Sequence, residues 1–171
     1  GLQHLFPLWE PQEIILGRLA ALQKARADQG HPDGLLANIC KARQEGVTTL
    51  AQSLAAHRVT TFTHVNALTA SDVPENSGSE GIFGKFELIV EHLPWYLRPA
   101  TKFHKKDTHW VFGNGSWMTV KSGKSMKGGL ADQGGTKGNL GRSRTYTVFH
   151  LSELSTWERP EQIDDGLLPA V

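Results

Sequence analysis

Two short stretches combine the residue types that handle the phosphates of a nucleoside triphosphate. The first is Lys41-Ala42-Arg43-Gln44-Glu45-Gly46-Val47-Thr48-Thr49, directly after the apolar run Leu35–Cys40. The second is the apolar run Tyr146–Leu151, closed by Ser152-Glu153. Strand, short loop, Gly-Val-Thr-Thr and helix is the layout of a phosphate-binding loop, and a strand with an acidic tip is the layout of its metal and water partner. Gly46 permits close approach of backbone N–H groups and a helix N-terminus to an anion. Thr48 stands where a hydroxyl reaches Mg2+, Glu153 where a carboxylate orients or deprotonates the attacking water, and Ser152 where a hydroxyl helps hold Mg2+ through a water. Neither stretch is orthodox, because Val47 takes the usual lysine position and Ser152 the usual aspartate. The cation that Val47 cannot supply has to come from elsewhere, and Lys41 and Arg43 at the front of the same loop are the candidates. Alone, the loop reads better as a strand-to-helix turn with a Thr cap than as a phosphate site, and Glu153 alone reads also as a solvated charge on a strand end. Both together, in this order, favour an ATPase core.

The elements that must position these residues follow from periodicity and turn chemistry. An amphipathic helix is expected from Pro11 to about Asp28, with Ile15, Leu19 and Leu22 on one face and Pro11 in its first turn. Gly30-His31-Pro32-Asp33-Gly34 turns the chain into a short buried strand, Leu35–Cys40. The loop then leads to a helix from about Thr48 to His57, and Val59–Leu68 is β-branched enough for a second strand. Ser77-Gly78-Ser79-Glu80 resembles a capping box ahead of a helix carrying Ile82, Phe83, Phe86, Ile89, Val90 and Leu93, which Pro94 and Pro99 end. His109–Phe112 and Ser116–Lys121 flank Gly113-Asn114-Gly115, a strong hairpin signal. Residues 122–141, with seven glycines, read as a long loop, Thr145–Leu151 as the last strand, and Ile163–Leu168 as the start of a final helix or turn. Strands separated by helices imply an α/β layer fold with a parallel core.

Composition narrows the class. The 171 residues suffice for one domain with a real core, and 39% hydrophobic and 20% charged content is ordinary for a globular chain. No apolar stretch approaches a membrane span, and no signal peptide is visible. The single cysteine, Cys40, excludes an internal disulfide framework and reads as packing at a strand end. The eight histidines show no zinc-like spacing. Charge is unevenly spread: Lys121 to Arg144 holds six basic residues and one acid, and Arg98, Lys102, Lys105 and Lys106 form a second basic cluster.

The order of these features resembles the large terminase subunit of tailed bacteriophages, the motor that pumps DNA into the capsid. Trp9-Glu10-Pro11-Gln12 at a helix start is similar to the family's adenine-sensing Gln motif, although Trp9 itself reads better as a core or staple residue. The loop from Lys41 to Leu50 resembles the variant phosphate loop in which Arg-Gln precedes Gly and the lysine moves to the front. Gly113-Asn114-Gly115-Ser116, Gly141-Arg142-Ser143-Arg144-Thr145 and Val148-Phe149-His150-Leu151-Ser152-Glu153 also fit.

The resemblance implies a P-loop NTPase of the ASCE type: a mostly parallel sheet flanked by helices, with a β-hairpin insertion. Residues 1–171 would be the N-terminal portion of the ATPase domain, with the coupling motif and nuclease domain beyond Val171. ATP and Mg2+ are the implied cofactors. Gln12, Lys41, Arg43, Gln44, Glu45, Gly46, Val47, Thr48 and Thr49 would form the nucleotide site. Glu153, Arg43 and Arg142 would be catalytic, and Thr48 and Ser152 would serve the metal. Within that scheme Arg43 contacts the γ-phosphate in its own subunit, and Arg142 is placed as an arginine finger toward a neighbouring subunit, or as a DNA contact. Implied partners are double-stranded DNA, the portal protein, the small terminase subunit and further copies in a homo-oligomeric ring, in the host cytoplasm and without a membrane. Two alternatives stay open: another nucleic-acid-dependent ATPase, and a non-catalytic DNA-binding module that uses the Lys- and Arg-rich Gly loop.

Overall fold

The computed structural model describes residues 8–30, 35, 37–40, 46–71, 81–105, 108–122 and 146–153. The chain divides into two compact units, Gly1–Leu50 and Ala51–Val171.

In the first unit, helix α1 spans Glu10–Asp28, a helix where one was expected but without the buried apolar face that an amphipathic helix would show. Pro11 sits in the first turn, where its missing N–H costs nothing, and Glu10 and Glu13 place negative charge at the positive end of the helix dipole. Ile15, Leu16 and Leu19 form only a half-buried stripe, Leu22 is exposed, and no α1 residue is buried. Trp9 is 60% exposed and therefore not the core or staple residue expected. The expected strand Leu35–Cys40 is absent among the described residues of that run, and residues 37–40 are exposed. A strand needs a hydrogen-bonded neighbour, and none of the sheet pairings involves this segment. Cys40 is accordingly exposed rather than packed.

Helix α2 covers Val47–Thr61, four residues further than expected. Val59 was read as opening a strand, yet Gln52, Ala55, Ala56 and Val59 are all buried at the i, i+3, i+4, i+7 spacing of one helix face. Thr60 is accommodated because its hydroxyl donates to the Ala56 carbonyl at 2.8 Å.

The second unit is built on a five-stranded mixed sheet of order β2-β3-β4-β1-β5. Its strands are β1 (Asn66–Ser71), β2 (Thr101–Lys105), β3 (His109–Phe112), β4 (Trp117–Ser122) and β5 (Val148–Leu151). β1 is parallel to both β4 and β5, and β3 is antiparallel to both β2 and β4. The α/β class is as expected, but the sheet is half antiparallel rather than mostly parallel. The β3–β4 hairpin is also no mere insertion, because β4 is itself the central strand of the sheet, paired with β3 on one side and β1 on the other. Met118 and Val120 give β4 the buried alternation that such a position needs. β2, fully exposed along its length, forms one edge.

Helix α3, Ile82–Glu91, buries Ile82, Phe83, Phe86 and Val90. Phe83, Phe86 and Val90 meet Trp110, Phe112 and Met118 in one core cluster with Ala56, Val59 and Val65. Each fully buried Phe contributes about 1.5–3 kcal/mol relative to exposure. The Gly113-Asn114-Gly115 tip has a further structural task. Asn114 Nδ2 donates to the carbonyls of Val59 (2.8 Å) and Phe62 (3.0 Å), and Ser116 Oγ donates to Phe62 at 2.9 Å. The hairpin thus satisfies carbonyls that the end of α2 leaves without helical partners.

Candidate functional site

The backbone of Gly46 holds φ +66, a left-handed conformation, immediately before α2. Its carbonyl accepts the Leu50 N–H at 2.9 Å, closing the first turn of the helix. The same carbonyl accepts the Gln12 side-chain amide at 3.1 Å. At its other end Gln12 Oε1 accepts the Trp9 N–H at 3.1 Å, capping the start of α1. Sequence reasoning assigned Gln12 and Gly46 to two separate motifs, and the structure brings them into direct contact. These two bonds use half of the amide's donors and lone pairs. A Cβ on residue 46 would lie 2.6 Å from Gln12 Nε2, so both the φ angle and the close approach call for glycine.

Helix α2 therefore starts at a glycine whose conformation turns the chain into the helix, and its first turn carries no acidic side chain. A helix N-terminus of this kind attracts anions through its unsatisfied N–H groups and dipole. Val47 and Leu50 are buried, Thr48 is half-buried and Thr49 exposed, so the apolar positions anchor the turn.

At the end of β5 the Ser152 N–H donates to the Ala70 carbonyl at 2.9 Å, extending the parallel pairing by one rung, and Ser152 is buried. Glu153 follows it, exposed and at φ +56. Left-handed backbone is uncommon for a residue with a long side chain and costs on the order of 1–2 kcal/mol. Strain of this kind collects where a side chain is being presented. The strand-then-acid reading thus has a geometric counterpart, a pleated strand that ends by turning its glutamate outward.

Sequence reasoning missed the polar group beside this strand. Gln52 is fully buried, and its Nε2 donates to Thr69 Oγ1 in β1 at 3.1 Å and lies 3.1 Å from His150 Nδ1 in β5. The available signal was a lone Gln on the otherwise apolar face Ala55, Ala56 and Val59 of α2. Thr69 and His150 face each other across the β1–β5 register, and at the next positions β1 ends on the buried Ser71.

Lys41, Arg43, Gln44, Glu45 and Arg142 lie outside the described residues, as do the Ser77–Glu80 capping box and Ile163–Leu168. Among the described residues no group of three or more His, Cys, Asp or Glu side chains is arranged to hold a metal. No helix among the described residues is long and apolar enough to cross a membrane. Comparison of the chain with models of known protein families and with curated proteins gives no match.

Proposed function

We propose that the chain is part of a P-loop ATPase of the kind found in the large terminase subunit, with Gly46, Val47, Thr48 and Thr49 receiving the phosphates of ATP and Glu153 acting on the attacking water. The observation that carries this reading is the left-handed Gly46 at the head of α2, its carbonyl tied to the Gln12 amide. That contact joins the motif expected to sense the base to the loop expected to hold the phosphates. Mg2+, when bound with the nucleotide, would neutralise phosphate charge, with the Thr48 hydroxyl and, through a water, Ser152 as protein donors. Gln12 retains the hydrogen-bonding capacity to meet the adenine edge. Lys41 or Arg43 supplies the cation absent at Val47, and Arg142 is the arginine finger of the scheme. Replacing Glu153 by Gln tests the chemistry: the amide keeps a hydrogen bond but is a very poor base, so ATP binding should persist and hydrolysis fail. Retained hydrolysis would remove Glu153 from the mechanism.

A second reading, a DNA-binding surface without nucleotide chemistry, is favoured by one feature. Trp95 and Tyr96 are 82% and 63% exposed, beside Arg98 and ahead of the exposed Lys102 and Lys105 on edge strand β2. Exposed aromatic and basic side chains of this kind contact nucleic acid by stacking and phosphate pairing. Within the motor reading the same segment is a candidate DNA contact, so the two readings separate on nucleotide binding.

A further inference from the structure

We propose that Gln52 is a positioning residue that fastens the end of β5, and with it Ser152 and Glu153, to helix α2 through His150. The catalytic consequence rests on the ATPase reading above. The tether itself rests on geometry.

A fully buried amide is costly unless its donors find partners, and an apolar side chain of similar size would fill this face of α2 without that cost. Gln52 meets the cost with two bonds to two different strands, Thr69 Oγ1 and His150 Nδ1, both at 3.1 Å. Thr69 is itself fully buried and stands opposite His150 in the parallel register. The amide therefore bridges a cross-strand pair, adding a side-chain bond from α2 to the backbone ladder that already joins β5 to β1. Two residues beyond His150 on the same strand face is Ser152, whose N–H makes the last rung to Ala70 at 2.9 Å. Glu153 departs from that rung with its left-handed backbone. The direction in which Glu153 leaves the sheet is thus set just past a strand end held at two points, one of them Gln52.

The tether also couples the amide to the ring tautomer. As placed, Gln52 Nε2 donates to His150 Nδ1, which puts the ring proton on Nε2; an amide turned over would instead accept from a protonated Nδ1 through Oε1. Asn at position 150 would keep an acceptor near the Nδ1 position, whereas Phe would keep the ring and lose it.

Nitrogen-detected NMR of the histidine rings, together with turnover and Mg·ATP affinity, tests this on wild type and on Gln52→Leu, His150→Asn and His150→Phe. The expected result is a His150 ring protonated on Nε2, with its Nδ1 signal displaced in Gln52→Leu. Turnover should fall by about tenfold or more in Gln52→Leu and His150→Phe with nucleotide affinity within about twofold of wild type, and His150→Asn should recover most of it. Such a split between turnover and binding is not what loosened packing alone produces. If Gln52→Leu fails to fold, the two His150 variants carry the comparison. A His150 Nδ1 signal that is the same in Gln52→Leu and wild type, or equal turnover by His150→Phe and wild type, would overturn the tether. A folded wild type that neither binds nor hydrolyses ATP would instead overturn the ATPase reading and the catalytic role resting on it, with the response of the Nδ1 signal to Gln52→Leu still deciding whether the tether exists.

Discussion

Gln12 Nε2 donates to the carbonyl of Gly46 across 3.1 Å, linking the first turn of α1 to the residue that opens α2. Thirty-four positions separate the two in sequence. The bond turns two weak local signals, a Gln in a helix N-terminus and a Gly before a Thr, into one structure.

The left-handed backbone of Gly46 and the close approach of Gln12 make any side chain at position 46 costly. Gly46→Ala places a methyl 2.6 Å from Gln12 Nε2 while the backbone stays at φ +66. The side-chain clash is relieved if Gln12 moves, but the left-handed strain is not, so a destabilisation of about 1–2 kcal/mol is expected. Chemical denaturation of Gly46→Ala, Gln12→Ala and the double variant measures both parts. The double variant should be less destabilised than the sum of the singles, because the clash is counted once and vanishes with Gln12. Strict additivity would show that the two residues do not touch.

Asn114 and Ser116 should matter for stability and not for nucleotide. Asn114→Ala leaves the Val59 and Phe62 carbonyls short of a donor at the end of α2. A loss of about 1–3 kcal/mol is expected, with ATP affinity unchanged at a temperature where the protein stays folded. Thermal melts alongside nucleotide titration provide the check. A selective loss of nucleotide binding would give the hairpin tip a direct role at the site.

Glu153 invites a separation of stability from function. Glu153→Gly removes the penalty of a left-handed glutamate, offset by the greater freedom of glycine when unfolded, so stability should change by less than about 1 kcal/mol, in either direction. Hydrolysis should nevertheless be lost, as in Glu153→Gln. A large drop in melting temperature for Glu153→Gly would mean that the side chain is holding the fold together.

The sheet's helices and hairpin were legible in the sequence, and the reasons differ from element to element. The α3 stripe of Phe83, Phe86 and Val90 and the Asn-Gly turn are local signals that tertiary context does not reverse. The Leu35–Cys40 run misled because a short apolar stretch declares burial only when something pairs with it. Val59 misled in the opposite sense: β-branching suggested a strand, while packing of Ala55, Ala56 and Val59 against the core decided for helix. β2 went unseen because its Thr-Lys-Phe-His-Lys sequence carries no core face, being an exposed edge strand held by β3. At the site, Gly46 and Glu153 were legible as residue types, but their left-handed backbones and the contacts of Gln12 and Gln52 are long-range facts that no local pattern encodes.

The displaced cation is testable by exchange. Lys41→Ala or Arg43→Ala should lower hydrolysis far more than Lys24→Ala, which removes an exposed surface pair with Asp28 at 2.7 Å. Val47→Lys in the Lys41→Ala background should restore part of the activity by returning a cation to the usual place in the loop. Near-normal turnover in both Ala variants would show that the loop does not hold phosphates in the proposed register.

Calorimetric titration with a slowly hydrolysed ATP analogue, with and without Mg2+, on wild type and Thr48→Ala decides whether the loop at Gly46 holds nucleotide. The wild type should bind in a Mg2+-dependent way, and Thr48→Ala should bind markedly more weakly. No binding at millimolar nucleotide by a folded sample would contradict it, as would equal, Mg2+-independent binding by Thr48→Ala.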